Sequence, residues 1–520
     1  QAEQAAAAAK AAAAADEAAA DTAAQLVLRF ETQLAEAHLT PAERRDAEKT
    51  YNKFASHTEL PTGEGSFSIS LWDWGAYFTA LGKPEPGEVN VQWPAALEVA
   101  VSAVLDPDAD PAAVKAYATY HCVCRAADYL SDPFVEEDFA FFGKELNGQK
   151  ELKPRWKRVI QHANGLIGEL VGVSYVEQHF PANAKDAAVT LVAAVRAAVE
   201  ERLAELPWMS EATRAKALEK MAGFRVKIGY PDEWIDYTAL TLDPEAPYYS
   251  NVLAAKRFEF ARCLGRINAP VDRGMWFMAP QQVNAYYHPM LNEIVFPAAI
   301  LQPPFFDPAV DPAINFGAIG AVIGHEITHG FDDQGRKYDH EGNLNDWWAP
   351  EDKDSFVARA AVMVKQAGDT VVHTQDDACE ERKAGPFSLS KPGVRSVATA
   401  ACTCRNVNGE LTQGENIADL GGLRLAYRAW KKFDGADGGS GAPDNFPSES
   451  ERRFFFSWAT VWRQNITSAL AAKYIAVDPH APSEVRVNGT VSNMPEFIDA
   501  FGLKEGDGLW RPEGERVDIW

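Results

Sequence analysis

Residues 321–331 read AVIGHEITHGF, and everything else turns on how His325-Glu326-x-x-His329 is taken. Four residues make about one helical turn, so two histidines at that spacing leave the same face of a helix. Imidazoles so placed can hold one divalent metal, and Zn²⁺ is the usual occupant. Glu326 follows the first histidine and is near enough to act on a zinc-activated water without being a ligand. The plainer reading is a core helix with an accidental spacing. The surrounding sequence decides between the two.

A zinc held by two histidines needs a third protein ligand. Metzincins place a histidine six residues after the second one, with a glycine three residues after it; those positions here are Gly335 and Asp332. A glutamate nineteen residues on would mark a related helical class, but that position is Trp348. A distant glutamate on another helix remains, giving a His₂Glu set. In residues 411–427, LTQGENIADLGGLRLAY, Glu415 and Asp419 stand one turn apart. Glu415 can bind the metal, and Asp419 can accept a hydrogen bond from the far nitrogen of a ligand histidine, fixing its tautomer. A capped surface helix with two solvated acids is the alternative, and the run Gly421-Gly422-Leu423 argues against it by packing the helix inward.

Further motifs stand in order along the chain: Asn284-Ala285-Tyr286-Tyr287, IVFPAAILQPPFF over residues 294–306, GHEITHGFDDQGR over residues 324–336, and ENIADLGG over residues 415–422. Asp478-Pro479-His480, Arg486-Val487-Asn488-Gly489 and the closing Trp520 complete the set. With these, the chain from about Ala24 onward resembles the neprilysin and endothelin-converting-enzyme family of zinc metalloendopeptidases. The resemblance implies a mainly α fold with small β elements: a two-lobed zincin, its thermolysin-like catalytic domain and helical N-terminal region enclosing a cavity that admits peptides. It implies one Zn²⁺ per chain and oligopeptide substrates.

By position, the resemblance makes His325, His329 and Glu415 the zinc ligands, Glu326 the catalytic base and Asp419 the residue that orients a ligand histidine. It makes His480 the donor to the developing oxyanion and Arg486 a contact to substrate backbone or carboxylate. Asn284 and Ala285 resemble an edge-strand pair that hydrogen-bonds an extended peptide. Ile300, Phe305, Val322, Val461 and Trp462 resemble the wall of the pocket for the residue after the cut bond. All five are apolar, so hydrolysis is expected on the amino side of hydrophobic residues. Out of that context His480 would be a loop histidine and Arg486 a strand-edge cation. A catalytically impaired or non-catalytic peptide-binding homologue is the rival expectation, because an N-terminal portion usual in the family has no counterpart here. The family favours an extracellular, periplasmic or membrane-anchored setting.

Composition agrees with a large globular protein. With 520 residues, 47% hydrophobic and 11% aromatic, the chain can bury a substantial core. Its net charge, 50 − 74 = −24, disfavours nucleic acid or an anionic membrane as partner. No membrane span is visible: the apolar run Phe316–Gly324 is too short and closes on a histidine. Gly317, Gly320 and Gly324 read as helix-packing residues rather than as a phosphate cradle.

The rest reads as helical scaffold. Residues 1–24 are an alanine-rich, helix-prone tail; 25–270 a helical N-terminal region; 280–520 the zinc domain, with an insertion near 373–405 and a loop from Asp434 to Ser448. Thr40-Pro41-x-Glu43 predicts a capping box and Ser210 a helix N-cap. Val189, Val192, Val195, Val199, Leu203 and Leu206 predict an amphipathic helix over 185–206. Short β signals cluster at 282–297 and 484–491, and Cys122 and Cys124 read as core thiols.

Overall fold

The computed structural model describes residues 2–60, 72–105, 110–373, 404–436 and 449–520. Helices dominate and the strands are few and short, the expected fold class. No helix among the described residues is long and apolar enough to cross a membrane. The chain forms two compact units, residues 1–142 with 238–271, and residues 143–237 with 272–520.

In the first unit the alanine-rich stretch continues without a break into the amphipathic positions, giving helix α1 (Ala2–Ala37). Val27 and Phe30 are buried, and the Phe30 ring meets Tyr117 edge-on at 4.7 Å. Tyr117 lies on helix α3 (Pro111–Ala127), which follows α2 (Pro94–Leu105). Glu31 accepts from His121 Nε2 at 3.0 Å, adding a polar tie between α1 and α3. Thr40 makes the predicted capping box with Glu43. Cys122 is exposed and Cys124 half-buried, so neither is the core thiol expected: the buried positions near the end of α3 are Ala126 and Ala127.

The second unit opens with α4 (Arg155–His179), α5 (Ala182–Glu205) and α6 (Glu211–Ala222), the last capped by Ser210 as predicted. On α5, Val192, Val195, Val199 and Leu203 are buried, but Val189 is 48% exposed and lies off the apolar face. That face joins the large core around the metal motif, so residues 143–237 pack within the second compact unit. Periodicity shows that a helix buries a face; it does not show which neighbour the face meets.

A three-stranded sheet follows. Strand β1 (Arg225–Gly229) runs parallel to β3 (Glu293–Pro297), and β2 (Tyr286–His288) is antiparallel to β3 on its other side. Central β3 is buried on both faces, with Ile294, Val295 and Phe296 fully inside. Strand β2 is an edge among the described residues.

Helix α7 (Ala321–His329) carries the histidines, and α8 (Gln413–Ala436) crosses it closely. The closeness comes from glycine. A Cβ on Gly324 would lie 2.7 Å from the Gly422 carbonyl oxygen, and one on Gly317 would lie 2.1 Å from that of Phe454, on α9 (Glu449–Val461). The predicted packing role of these glycines therefore holds.

Residues 484–491, expected as β, lie within helix α10 (Ser483–Val491). Burial there does not alternate: Val485 and Arg486 are buried in succession, then Thr490 and Val491. The insertion expected near 373–405 falls between two paired strands, Val371–His373 and Cys404–Asn406; residues 374–403, with Cys379 and Cys402, lie outside the described residues. The loop expected from Asp434 begins later, since α8 runs to Ala436, and residues 437–448 lie outside the described residues.

Candidate metal centre

Every residue of α7 except His329 is buried, and His329 is nearly so. His325 Nε2 and His329 Nε2 lie 3.0 Å apart. Glu415, in the first turn of α8, brings Oε2 to 3.3 Å from the former and 3.5 Å from the latter. Donors bound at about 2.0–2.1 Å around a tetrahedral ion stand roughly 3.3–3.4 Å apart, so these three atoms form one face of a zinc-sized tetrahedron. Glu415 Oε2 is buried and accepts no well-aligned hydrogen bond from any described residue, as an oxygen reserved for a cation would be. A Glu326 oxygen also falls within 4.8 Å of the imidazole nitrogens. Glu415 is the better third donor, because its oxygen reaches both nitrogens at bonding separations while Glu326 is left beside the site.

Carboxylates fix both imidazoles from behind. Asp419 Oδ1 accepts from His325 Nδ1 at 2.9 Å, and Asp332 Oδ2 accepts from His329 Nδ1 at 2.7 Å. These contacts leave both Nε2 atoms to face Glu415. Asp332 went unassigned at the sequence level, although His329-x-x-Asp332 carries the needed spacing of three residues.

Arg486 Nε and Nη2 grip Asp419 at 2.8 and 2.7 Å, and its guanidinium lies 3.7 Å from the centre of the Trp462 ring. Burial works against ionisation of Asp419, but Arg486 beside it holds the carboxyl below its ordinary value. Glu415 is likewise disfavoured as an anion by burial, yet His329 and His325 hold it well below the usual range. Burial pushes Glu326 up, against the pull of His325 and His329. Glu326 is thus held above its ordinary value, where Glu415 and Asp419 are held below theirs.

His480 is 48% exposed. Its Nδ1 donates to Asp478 Oδ1 at 2.8 Å, and its Nε2 stands 3.3 Å from Glu415 Oε2, at the rim of the donor triangle. Asn284 is exposed and Ala285 buried immediately before edge strand β2. Ile300 and Val322 are in the main core, Phe305 and Trp462 pack against it, and half-buried Val461 ends α9.

Two sequence profiles of peptidase family M13 match the chain, one over residues 2–231 and one over residues 284–384 and 394–517. The chain belongs to peptidase family M13. Bovine endothelin-converting enzyme 1 is 32% identical over 510 residues, spanning 95% of this chain and 62% of that protein. Neprilysin-3 of Drosophila melanogaster is 34% identical over 412 residues, 78% of this chain and 48% of the relative. The chain therefore spans about three fifths or less of the length of these relatives. Among solved structures, the Mycobacterium tuberculosis zinc metalloprotease Zmp1, in complex with an inhibitor, superposes with a TM-score of 0.83 at 40% identity, covering 96% of this chain and 70% of that one. PepO of Lactobacillus rhamnosis gives 0.78 at 29% identity, covering 96% and 71%.

Proposed function

We propose that this protein is a zinc-dependent endopeptidase that hydrolyses oligopeptides on the amino side of hydrophobic residues. The observation that carries the reading is the donor triangle of His325, His329 and Glu415, with unligated Glu326 beside it. A zinc ion held there supplies Lewis acidity to the reacting water and carbonyl. The chain's own groups do the rest. Glu326, its carboxyl pushed up by burial, takes the proton of the attacking water and hands it to the leaving amine. When protonated on both nitrogens, His480, oriented through Nδ1 by Asp478, donates from Nε2 to the carbonyl oxygen as charge develops on it.

The outer side of β2, an edge among the described residues, with Asn284 and Ala285 leading into it, offers main-chain groups to an extended peptide. Ile300, Phe305, Val322, Val461 and Trp462 supply the apolar surface for the side chain after the cut bond. In this reading Arg486, stacked on Trp462 and paired with Asp419, also meets substrate backbone or carboxylate. Metal analysis together with a peptide-library digest tests the reading. Stoichiometric zinc and chelator-sensitive cuts before apolar residues are expected; a zinc-loaded protein that cuts nothing would favour a peptide-binding role.

A further inference from the structure

Lys220, on α6, is 1% exposed, and among the described residues no carboxylate is in direct contact with its ammonium. Nζ instead donates to three main-chain carbonyls, those of Gly330, Gly335 and Tyr338, each at 2.7 Å. An ammonium has three N–H donors, so its full hydrogen-bonding capacity closes on one loop. That loop leaves the end of α7 directly after His329 and carries Asp332, whose Oδ2 holds His329 Nδ1.

Gly335 is held at both of its polar groups. Its N–H donates to Asp332 Oδ1 at 2.6 Å, and its carbonyl accepts from Lys220. A Cβ on Gly335 would lie 1.7 Å from the His329 carbonyl oxygen, so the loop is folded tightly back on the histidine it serves. Asn292 Nδ2 adds a parallel tie, donating to the carbonyl of Lys220 itself and to that of His340.

We infer that Lys220 is a positioning residue for the metal centre: by drawing three carbonyls of residues 330–338 onto one ammonium, it sets the Asp332 carboxylate against His329. The inference rests on the zinc reading above and extends it to a residue far from the motif in sequence. His325 provides an internal reference, because its Nδ1 is held by Asp419 on α8, outside the loop.

The test uses the full chain with zinc and Lys220→Met, which keeps an unbranched side chain one heavy atom shorter and removes the donors. Zinc affinity by chelator competition should fall roughly 10–100-fold, the usual effect of losing a group that orients a ligand. In proton NMR the His329 Nδ1–H resonance should shift or broaden while that of His325 stays. Combined with Asp332→Asn, the losses in affinity should be non-additive, since both changes act on one imidazole. Wild-type affinity with both resonances unmoved would overturn the inference. So would equal disturbance of both histidines, which marks general loosening, or strict additivity. Should Lys220→Met not fold, Lys220→Gln, which removes the ammonium and keeps a polar side chain, must shift or broaden the His329 resonance while that of His325 stays; an unchanged His329 resonance there also overturns it. Failure of the wild-type protein to bind zinc would instead remove the metal reading itself.

Discussion

Gly324 and Gly422 touch backbone to backbone: a Cβ on the first would lie 2.7 Å from the carbonyl oxygen of the second, and one on Gly422 would lie 2.5 Å from the His325 amide nitrogen. This contact lets Glu415 and Asp419 on α8 reach His325 on α7. Gly422→Ala should therefore separate the helices. Overpacking of this kind costs about 1–3 kcal/mol, and zinc affinity should fall with it. Denaturant melts and chelator competition on the variant check both; unchanged zinc affinity would show that the helix contact does not set the donor triangle.

Replacing a ligand and replacing the base should have opposite signatures. Glu415→Ala should lose zinc and activity together. Glu326→Gln should retain zinc and lower turnover by orders of magnitude. Metal content and kcat measured on both variants decide the roles, and a near-normal rate in Glu326→Gln would rule out Glu326 as the base.

His480→Ala should lower kcat much more than it raises KM, by on the order of 3 kcal/mol in transition-state free energy. The contact strengthens only as charge develops on the carbonyl oxygen. A change confined to KM would make His480 a binding residue.

Cleavage should favour Phe, Leu or Ile after the cut bond. Burying such a side chain contributes roughly 1.5–3 kcal/mol, a clear preference without absolute selection. Val461→Asp, at the half-buried end of α9, should weaken that preference. A library digest with equal cutting before Asp, Lys and Phe would refute the pocket.

Stability should carry a pH signature from Glu293, fully buried at the start of β3. Burial raises its carboxyl above 4.5, although Lys227, Arg225 and Arg273 pull it down. His288 stands opposite it on β2. With the folded pKa above the unfolded one, the native state binds more protons in the interval between them. Stability then falls as pH rises from 4.5 through the folded value. Glu293→Gln should remove that slope, so its stability relative to wild type should grow with pH in urea melts. A constant difference would contradict the assignment.

Much of the centre was legible in the sequence, because helical spacing places His325 with His329 and Glu415 with Asp419 whatever the tertiary fold. The Gly421-Gly422 pair also announced close packing. Asp332 and Asp478 were less visible, since a carboxylate near a histidine in sequence becomes its partner only once the loop geometry is set. Lys220 was out of reach: nothing local marks a helical lysine as buried, and its three acceptors lie 110 to 118 residues away. The strand expected at 484–491 failed because the spacing of Val485 and Val487 mimics alternation while Arg486 turns inward to Asp419. That residues 143–237 pack with the second compact unit has no mark in the sequence, since periodicity does not name the core that α5 joins.

Asp419 Oδ1 accepts from both His325 and Arg486, at 2.9 and 2.7 Å. One corner of the donor triangle and the guanidinium at its flank thus share a single oxygen atom. A ligand that draws on Arg486 alters how strongly Asp419 polarises His325, and so how well His325 donates to a metal. Such coupling is reciprocal: a molecule held more tightly when metal is present must, by the same free energy, retard loss of the metal. With zinc and substrate bound as proposed, metal retention and occupancy at Arg486 would be one linked equilibrium.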